Sequence, residues 1–343
     1  MRVIAITGGS GVVGRALIRQ LAIDLPTHRL LLLTRRPDRL HFPNATVAFA
    51  DIREPGLGLN AETRRVLRED TELFVHAAAD TCFHSPLDQS RRTNTEGARN
   101  ALAVARECRR LRHFAHISSL YIAGRRQGRV LEEPLRHSDG YVNSYEESKH
   151  EAEELLFAEF RNLPIGVYRL SSVVDLGGSG GHVRKALRLA RWAGRFRFFP
   201  GEARVPVDIV SSEWAAQALA VLLKECPESS RIRHVCAGEG GAVPFGGILE
   251  MVLGAYESVK GQARPRVELV PLREFEQSSG AHARAFDSLM TFIPHLSLMQ
   301  PFDNQVTSSL LRRYGVEPAE SSSIVAAVVE QEWSAHTCIP TMT

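Results

Sequence analysis

A glycine-rich turn near the start of the chain constrains the fold more than any other stretch. A short β-rich run at residues 2–6 leads into Thr7-Gly8-Gly9-Ser10-Gly11-Val12-Val13-Gly14, helical spacing follows over residues 15–25, and residues 30–33 have the pattern of a buried strand. Glycines at this spacing let the backbone turn tightly and approach a pyrophosphate, which the free amides at a helix start attract. The pattern therefore predicts a βαβ unit that binds a dinucleotide through Thr7, Gly8, Ser10, Gly11, Val12 and Gly14.

The end of the second predicted strand indicates the type of dinucleotide. Enzymes that use NAD place a carboxylate there for the adenosine ribose, whereas the 2′-phosphate of NADP needs a positive partner. Here the strand ends in Thr34, Arg35 and Arg36, and no carboxylate precedes Asp38. Since the guanidinium group matches phosphate geometry, we predict that Arg35 and Arg36 bind NADPH. The alternative is that both arginines only face solvent.

Two later strand ends are predicted to complete the cofactor site. The run at residues 46–50 ends at Asp51 and Ile52, where a carboxylate could accept a hydrogen bond from the adenine amine. The run at residues 73–79 ends in Ala77-Ala78-Ala79, whose small side chains would let the cofactor lie against the backbone.

A tyrosine and a lysine on one predicted helix indicate carbonyl chemistry. Tyr145 and Lys149 are four residues apart and project from the same helical face. A phenol has an ordinary pKa of about 10, and a nearby ammonium favours its ionised form, so Lys149 is expected to tune Tyr145. Only four of the 42 lysines and arginines are lysines, and arginine could not present a compact, tunable ammonium. Ser119 ends the predicted strand at residues 114–119, at the sheet edge where ligands bind.

Composition narrows the class of protein. With 44% apolar and 24% charged residues, the 343-residue chain has the balance of a soluble globular protein, and its scattered arginines form no nucleic-acid-binding stripe. The five cysteines include no CxxC pair and the histidines form no HExxH, so neither a metal site nor a disulfide framework is predicted. No apolar run approaches the roughly 20 residues that cross a bilayer, and the amino terminus leaves no room for a cleaved signal. We therefore expect a cytoplasmic protein that binds no nucleic acid.

Six motifs follow one another along the chain in a recognisable order. They are Thr7 to Gly14, Asp51-Ile52, His76 to Ala79, Asn94 to Gly97, Ser118-Ser119 and Tyr145 to Lys149. In this order they resemble the extended short-chain dehydrogenase/reductase superfamily over most of residues 1–260. The chain is most similar to the thioester and fatty-acyl reductases of that superfamily, the male-sterility type, at Arg35, Phe83, Pro86 and residues 116–124 and 143–145.

The resemblance implies roles for four residues. Tyr145 would protonate a carbonyl oxygen, Ser119 would orient it, Lys149 would contact the nicotinamide ribose, and Asn94 would hold a water. The chain departs from the family pattern at Ala50, where glycine is usual, at Arg169-Leu170-Ser171, where Arg-Pro is usual, and in the short segment between Gly124 and Tyr145.

The element pattern and the resemblance predict an α/β fold, a doubly wound parallel Rossmann sheet with a smaller, mostly helical C-terminal substrate lobe. Residues 1–174 would form the NADP-binding domain, to which residues 204–238 return, and residues 175–203 and 239–343 would form the lobe. Helical spacing in the lobe is clearest at residues 306–313 and 324–333. Residues 175–181 are interpreted as a mobile loop over the nicotinamide or as a plain connector. An apolar pocket could be walled by Trp192, Phe196, Phe198 and Phe199.

These observations favour an NADPH-dependent reductase acting on a carbonyl of a hydrophobic or carrier/CoA-linked substrate, possible reactions including reduction of a thioester to an aldehyde or alcohol. Other readings stay open: a reductase of a ketone or other unsaturated group on a free secondary metabolite, a nucleotide-sugar epimerase or dehydratase, and a non-catalytic NADPH-sensing module. Arg35 and Arg36 count against the epimerase class, because those enzymes usually carry a ribose-binding carboxylate. A monomer or homodimer is expected.

Overall fold

Seven parallel strands form the central sheet of the protein. The computed structural model describes residues 2–136, 138–178, 198–225, 231–260, 263–264, 266–278 and 292–334. The strands are β1 Arg2–Thr7, β2 His28–Thr34, β3 Ala45–Phe49, β4 Thr71–His76, β5 His113–Ser119, β6 Ile165–Leu170, β7 Ser172–Val174, β8 Phe198–Pro200, β9 Pro206–Val207, β10 Ile209–Ser211, β11 Arg231–Val235, β12 Val243–Pro244 and β13 Glu268–Val270.

The order of the strands creates a crevice at one edge of the central sheet. The order is β11-β6-β5-β4-β1-β2-β3, and every neighbouring pair is parallel. The chain runs outward from β1 in one direction through β2 and β3, and in the other direction from β4, so the order reverses between β1 and β4. Thr7 and His76 are paired at the carboxyl ends of those two strands. Because open parallel sheets bind ligands at such a reversal, the predicted doubly wound Rossmann sheet is confirmed together with its crevice.

Helices cover both faces of this sheet, since its strands are apolar on both sides. Leu17 and Leu219 pack with Ile6 of β1 on one face, and Leu156 packs with Phe114 of β5 on the other. The helices that carry these and the other packing residues are α1 Val12–Asp24, α2 Ala61–Asp70, α3 Leu87–Arg106, α4 Ser144–Phe157, α5 Ser212–Lys224, α6 Phe245–Lys260, α7 Leu272–Ser278, α8 Gln305–Arg312 and α9 Ser321–Ser334.

The C-terminal part of the chain forms a third apolar core beside the sheet. Short ladders of β10 with β7, β12 with β9 and β13 with β8 lie outside the central sheet. Phe245 of α6 packs with Phe199 and with Val325 of α9 in this core. The helices predicted at residues 306–313 and 324–333 are confirmed as α8 and α9, and so is the smaller, mostly helical lobe. Leu311 of α8, however, packs in the core of α1 and α5, and the predicted domain boundaries stay predictions.

Residues 300–307 hold in place the loop at residues 124–143, which leads into α4. Gln300 Nε2 donates to the carbonyl oxygens of Gly124 and Arg126, each at 2.7 Å. Glu132 of the same loop accepts hydrogen bonds from the amides of Val306 and Thr307, both at 3.1 Å, and so caps the start of α8. The loop is therefore held by residues 300–307 and needs little secondary structure of its own.

The described ranges contain free thiols but no membrane-spanning helix and no cluster of metal ligands. None of the helices there is long and apolar enough to cross a bilayer. No three histidine, cysteine, aspartate or glutamate side chains gather there as metal ligands. Cys82, Cys108 and Cys236 are free thiols, and Cys226 and Cys338 lie outside the described residues.

Candidate active site

A cavity of about 1210 Å³ opens at the carboxyl edge of the sheet and brings together most of the predicted site residues. Ser119, Tyr145 and Lys149 are part of its lining. Its glycine-turn half consists of Gly8, Ser10, Gly11, Val12, Gly14, Arg35, Ala50, Asp51, Ile52, Arg53, Ala77, Ala78 and Ala79. Its apolar half consists of Tyr121, Phe199, Val207, Ile209, Phe245, Ile248, Phe292, Ile293 and Leu296. The predicted residues Thr7, Arg36 and Asn94 lie outside this lining.

The glycine turn leaves no room for side chains where it passes the end of β4. Gly8 has a φ of +78°, and a Cβ there would lie 2.4 Å from the carbonyl carbon of Ala77. A Cβ at Gly14 would lie 2.2 Å from the carbonyl oxygen of Gly8. Gly11 is the N-cap of α1, and no side chain of the described residues caps that helix. The backbone amides at the start of α1 are therefore available to an anion, and the turn fits the pyrophosphate of a dinucleotide.

Thr7 lies outside the cavity lining, at the carboxyl end of β1. The residue is fully buried, and its Oγ1 lies 2.9 Å from His76 Nδ1. The same oxygen accepts a hydrogen bond of 3.3 Å from the amide of Ala78. Thr7 therefore holds the end of β4 in position, and Ala77, Ala78 and Ala79 form the lining itself.

An ion pair between Asp51 and Arg53, which the sequence did not predict, lies in the glycine-turn half of the cavity. Arg53 lines the cavity, and its Nη2 donates to Asp51 Oδ2 at 2.6 Å. This hydrogen-bonded pairing is the largest cause of a lowered pKa for Asp51. Of the two predicted phosphate-binding arginines, Arg35 lines the cavity and Arg36 is exposed outside it. The available signal was an arginine two residues beyond the strand-end aspartate.

Tyr145 lies at the amino-terminal end of α4, and Ser119 lies at the carboxyl end of β5. Asn143 caps α4 by accepting from the amide of Glu146 at 3.1 Å, which places Tyr145 in the first turn. The side chains of Tyr145 and Ser119 are hydrogen-bonded, and the ring of Phe83 lies 5.4 Å from that of Tyr145. Burial raises the pKa of Tyr145 to about 12, while the hydrogen bond with Ser119 acts to lower it. The phenol is therefore neutral and protonated around pH 7.

Lys149 is buried and held by the neighbouring strand. Its Nζ donates to the carbonyl oxygen of Ile117 at 2.6 Å and lies 3.2 Å from His116 Nε2. Burial lowers the pKa of Lys149 to about 8, so the ammonium form predominates at pH 7. The hydrogen bond with Ser119 acts to lower the pKa of Tyr145, and the tuning of the phenol by Lys149 stays a prediction. His116 was not predicted, since a strand histidine gives no sequence signal for its distant partner.

Asn94 lies behind the cavity and joins α3 to α4. Its Nδ2 donates to Ser148 Oγ at 2.9 Å and to the carbonyl oxygen of Asp80 at 3.1 Å. Its Oδ1 accepts from the amide of Asp80 at 2.8 Å. These contacts position the loop after β4, and the predicted water-holding role stays a prediction.

The apolar half of the cavity is walled by β-strand ends and by the segment at residues 292–296. No charged side chain is present among the residues named above for this half. Phe199 is part of the wall as predicted, whereas Phe198 packs beside the third core. Trp192 and Phe196 lie outside the described residues, as do residues 179–181 of the predicted mobile loop.

Comparison with known proteins identifies the family. The profile of the male sterility protein family, an NAD-binding family, matches residues 39–219. Fatty acyl-CoA reductase 2, chloroplastic, of Arabidopsis thaliana is 30% identical over 89 residues, which are 26% of this chain and 14% of that protein. The hybrid PKS-NRPS synthetase pvhA of Talaromyces variabilis is 28% identical over 178 residues, which are 50% of this chain and 4% of that protein. The chain thus spans a small share of the length of these curated relatives.

A solved structure shares the fold along nearly the whole chain. The terminal R domain from the myxalamid PKS-NRPS biosynthetic pathway has a TM-score of 0.76 at 19% identity, and the match covers 96% of this chain and 90% of that domain. Because the family profile matches more than half of the 343 residues, the protein belongs to the male sterility family of the extended short-chain dehydrogenase/reductase superfamily.

Proposed function

We propose that the protein is an NADPH-dependent reductase that transfers hydride to the carbonyl of an apolar acyl substrate, including one held as a thioester on coenzyme A or a carrier protein. The observation that carries this proposal is that one cavity is lined by the glycine turn, by Ser119, Tyr145 and Lys149, and by an apolar wall. A dinucleotide, a proton donor and a hydrophobic carbonyl compound could meet in such a cavity.

The charges at the glycine-turn half support NADPH over NADH. Arg35 is part of the lining, and the carboxylate of Asp51 is already paired with Arg53. A 2′-phosphate would therefore have a positive partner beside a neutralised carboxylate. When bound, the reduced nicotinamide supplies the hydride.

Tyr145 is the proposed general acid. Because burial raises its pKa to about 12, the phenol carries its proton at neutral pH and can donate it to a carbonyl oxygen as negative charge develops there. Ser119 Oγ, which is bonded to the phenol, would donate a second hydrogen bond to the same oxygen and so orient it. Lys149 would bind the ribose hydroxyls of the cofactor through its ammonium, which Ile117 and His116 hold in place.

The apolar half supports an acyl or other hydrophobic substrate rather than a nucleotide sugar. A diphosphate is costly to bury without positive partners, and none of the side chains named for this half is charged. The relatives are named as a fatty acyl-CoA reductase and a hybrid PKS-NRPS synthetase, which supports acyl groups as the first substrates to test.

A second candidate is reduction of a free apolar ketone or aldehyde. The same uncharged wall favours this candidate. The phosphate of a pantetheine arm would be stabilised by a cationic side chain, and none is present among the described residues of the apolar half. The two candidates share the cofactor and the proton donor and differ only in how the carbonyl arrives.

The test is turnover by the purified protein with NADPH. Acyl-CoA thioesters of increasing chain length would be compared with free aldehydes and ketones of matched length, with NADPH consumption as the readout. Turnover of thioesters favours the first candidate, and turnover of free carbonyls alone favours the second. Copurification of a permanently bound NAD would instead favour the epimerase class, and no turnover with any carbonyl would favour a non-catalytic module.

Substitution of the proposed acid separates chemistry from binding. Tyr145→Phe is expected to abolish turnover and to leave the Kd of NADPH nearly unchanged, because only the phenolic proton is removed. Tyr141→Phe is the matched control, since Tyr141 lies near the same helix, bonded to His150 and outside the cavity lining. Full activity of Tyr145→Phe would disprove the proposed mechanism.

A further inference from the structure

Arg53 donates hydrogen bonds to both oxygens of the Asp51 carboxylate. Its Nε lies 3.0 Å from Asp51 Oδ1 and 3.2 Å from Oδ2, and its Nη2 lies 2.6 Å from Oδ2. The backbone amide of Arg53 donates to Oδ1 as well, at 3.0 Å. This geometry is a bidentate guanidinium–carboxylate pair reinforced by the main chain, and it leaves Asp51 little capacity to accept further hydrogen bonds.

The pair changes the charge that a bound nucleotide would meet. Asp51, Arg53 and Arg35 all line the cavity, and Arg35 is close enough for its charge to contribute to the lowered pKa of Asp51. Two guanidinium groups and one carboxylate leave a net positive charge at this end of the cavity. Without Arg53, the carboxylate would cancel Arg35 and would repel a 2′-phosphate.

We propose that Arg53 is a cofactor-specificity residue, which favours NADPH by neutralising Asp51 so that the charge of Arg35 is available to the 2′-phosphate. The inference rests on the proposed NADPH dependence and adds the residue that makes it effective. Arg53 acts here through Asp51. It is a positioning residue, because it changes the charge that the cofactor would meet and takes no part in the reaction. The pairing also occupies the Asp51 oxygens that were expected to accept from the adenine amine, and that role of Asp51 stays a prediction.

The test is a binding cycle that does not depend on turnover. Wild type, Arg53→Ala, Asp51→Asn and the double variant would be titrated by calorimetry with 2′-phospho-ADP-ribose and with ADP-ribose. Arg53→Ala is expected to raise the Kd of 2′-phospho-ADP-ribose about tenfold and the Kd of ADP-ribose less than about twofold, because only the first probe carries the extra charge. In the Asp51→Asn background, removal of Arg53 should have almost no effect on either probe. Arg65→Ala is the control, since Arg65 is exposed on α2 and lies outside the cavity lining. Melting temperatures check that each variant is folded.

Different results overturn different claims. If the wild type binds ADP-ribose as tightly as its phosphorylated form, the proposed NADPH preference is wrong, and the role of Arg53 is wrong with it. If the wild type prefers the phosphorylated form but Arg53→Ala weakens both probes equally, Arg53 is structural and only this inference is wrong. A tenfold loss that persists in the Asp51→Asn background would show direct contact with the phosphate and would overturn the proposed neutralisation.

Discussion

The glycine-turn half of the cavity is assembled from chain segments before residue 80, whereas the apolar half draws on segments scattered between residues 121 and 296. In the first half the backbone shapes the site, because Gly8 and Gly14 approach other main-chain atoms where a Cβ would collide. In the second half side chains shape the site, and the residues next to them in the sequence do not predict that they line a cavity. A site shaped by the backbone can therefore be predicted from local sequence, whereas a site shaped by packed side chains cannot.

The two halves meet at the start of α4. Glu146, the residue after Tyr145, is fully buried and accepts from His295 Nε2 at 2.7 Å and from the amide of Val142 at 2.9 Å. The ring of His295 packs edge-on against Tyr121 of the apolar wall, with centroids 4.7 Å apart. This contact fastens the segment at residues 292–296 to the helix that carries the proposed acid.

The largest effect is expected in the backbone-made half. Gly14→Ala places a Cβ 2.2 Å from the carbonyl oxygen of Gly8, so the turn must open and NADPH binding should weaken roughly a hundredfold. Calorimetry of NADPH binding is the measurement. Gly254→Ala in α6 is the matched control, because no described atom lies within 4 Å of the added Cβ, and it should leave binding unchanged. Unimpaired binding by Gly14→Ala would remove the claim that backbone proximity makes this half.

A smaller and more selective effect is expected in the side-chain-made half. His295→Ala leaves the buried Glu146 without one of its donors and loosens the apolar wall, so KM for an apolar substrate should rise about tenfold. The Kd of NADPH should stay unchanged, and His295→Gln, which can still donate to Glu146, should restore part of the loss. His41→Ala is the control, since His41 is exposed and outside the cavity. An equal loss of NADPH affinity would show that the two halves are not independent.

The smallest effect is a pH dependence at the junction of the halves. Burial lowers the pKa of Lys149 to about 8, so the ammonium is present below that pH and is lost above it. We expect kcat/KM, which reports the free enzyme, to be about half of its plateau value near pH 8 and to fall further as pH rises. Tyr145 contributes no limb in this range, because its pKa is raised to about 12. A profile that stays flat to pH 10 would contradict a required Lys149 ammonium.

The sequence predicted which residues line the cavity where their position follows from the local chain. The glycine turn, the strand ends at Asp51 and Ala77, and the helical spacing of Tyr145 and Lys149 all lie within short segments, and the cavity lining contains them. His116 beside Lys149 and His295 beside Glu146 could not be foreseen, because their partners are 33 and 149 residues away along the chain. Arg53 was close to a predicted residue, but its pairing with Asp51 depends on side-chain conformation.

The amino-acid sequence by itself determined the Rossmann sheet, the crevice between β1 and β4 and the chemical types that gather there. Strand periodicity, glycines and i to i+4 spacing involve residues that are close together in the sequence, so they can be recognised without the tertiary structure. Only the tertiary structure decided that Tyr145 is buried beside Ser119, that Asp51 is paired with Arg53 and that Glu146 is hydrogen-bonded to His295. Those outcomes depend on burial and on distances between side chains from separate elements, which exist only once the elements have packed.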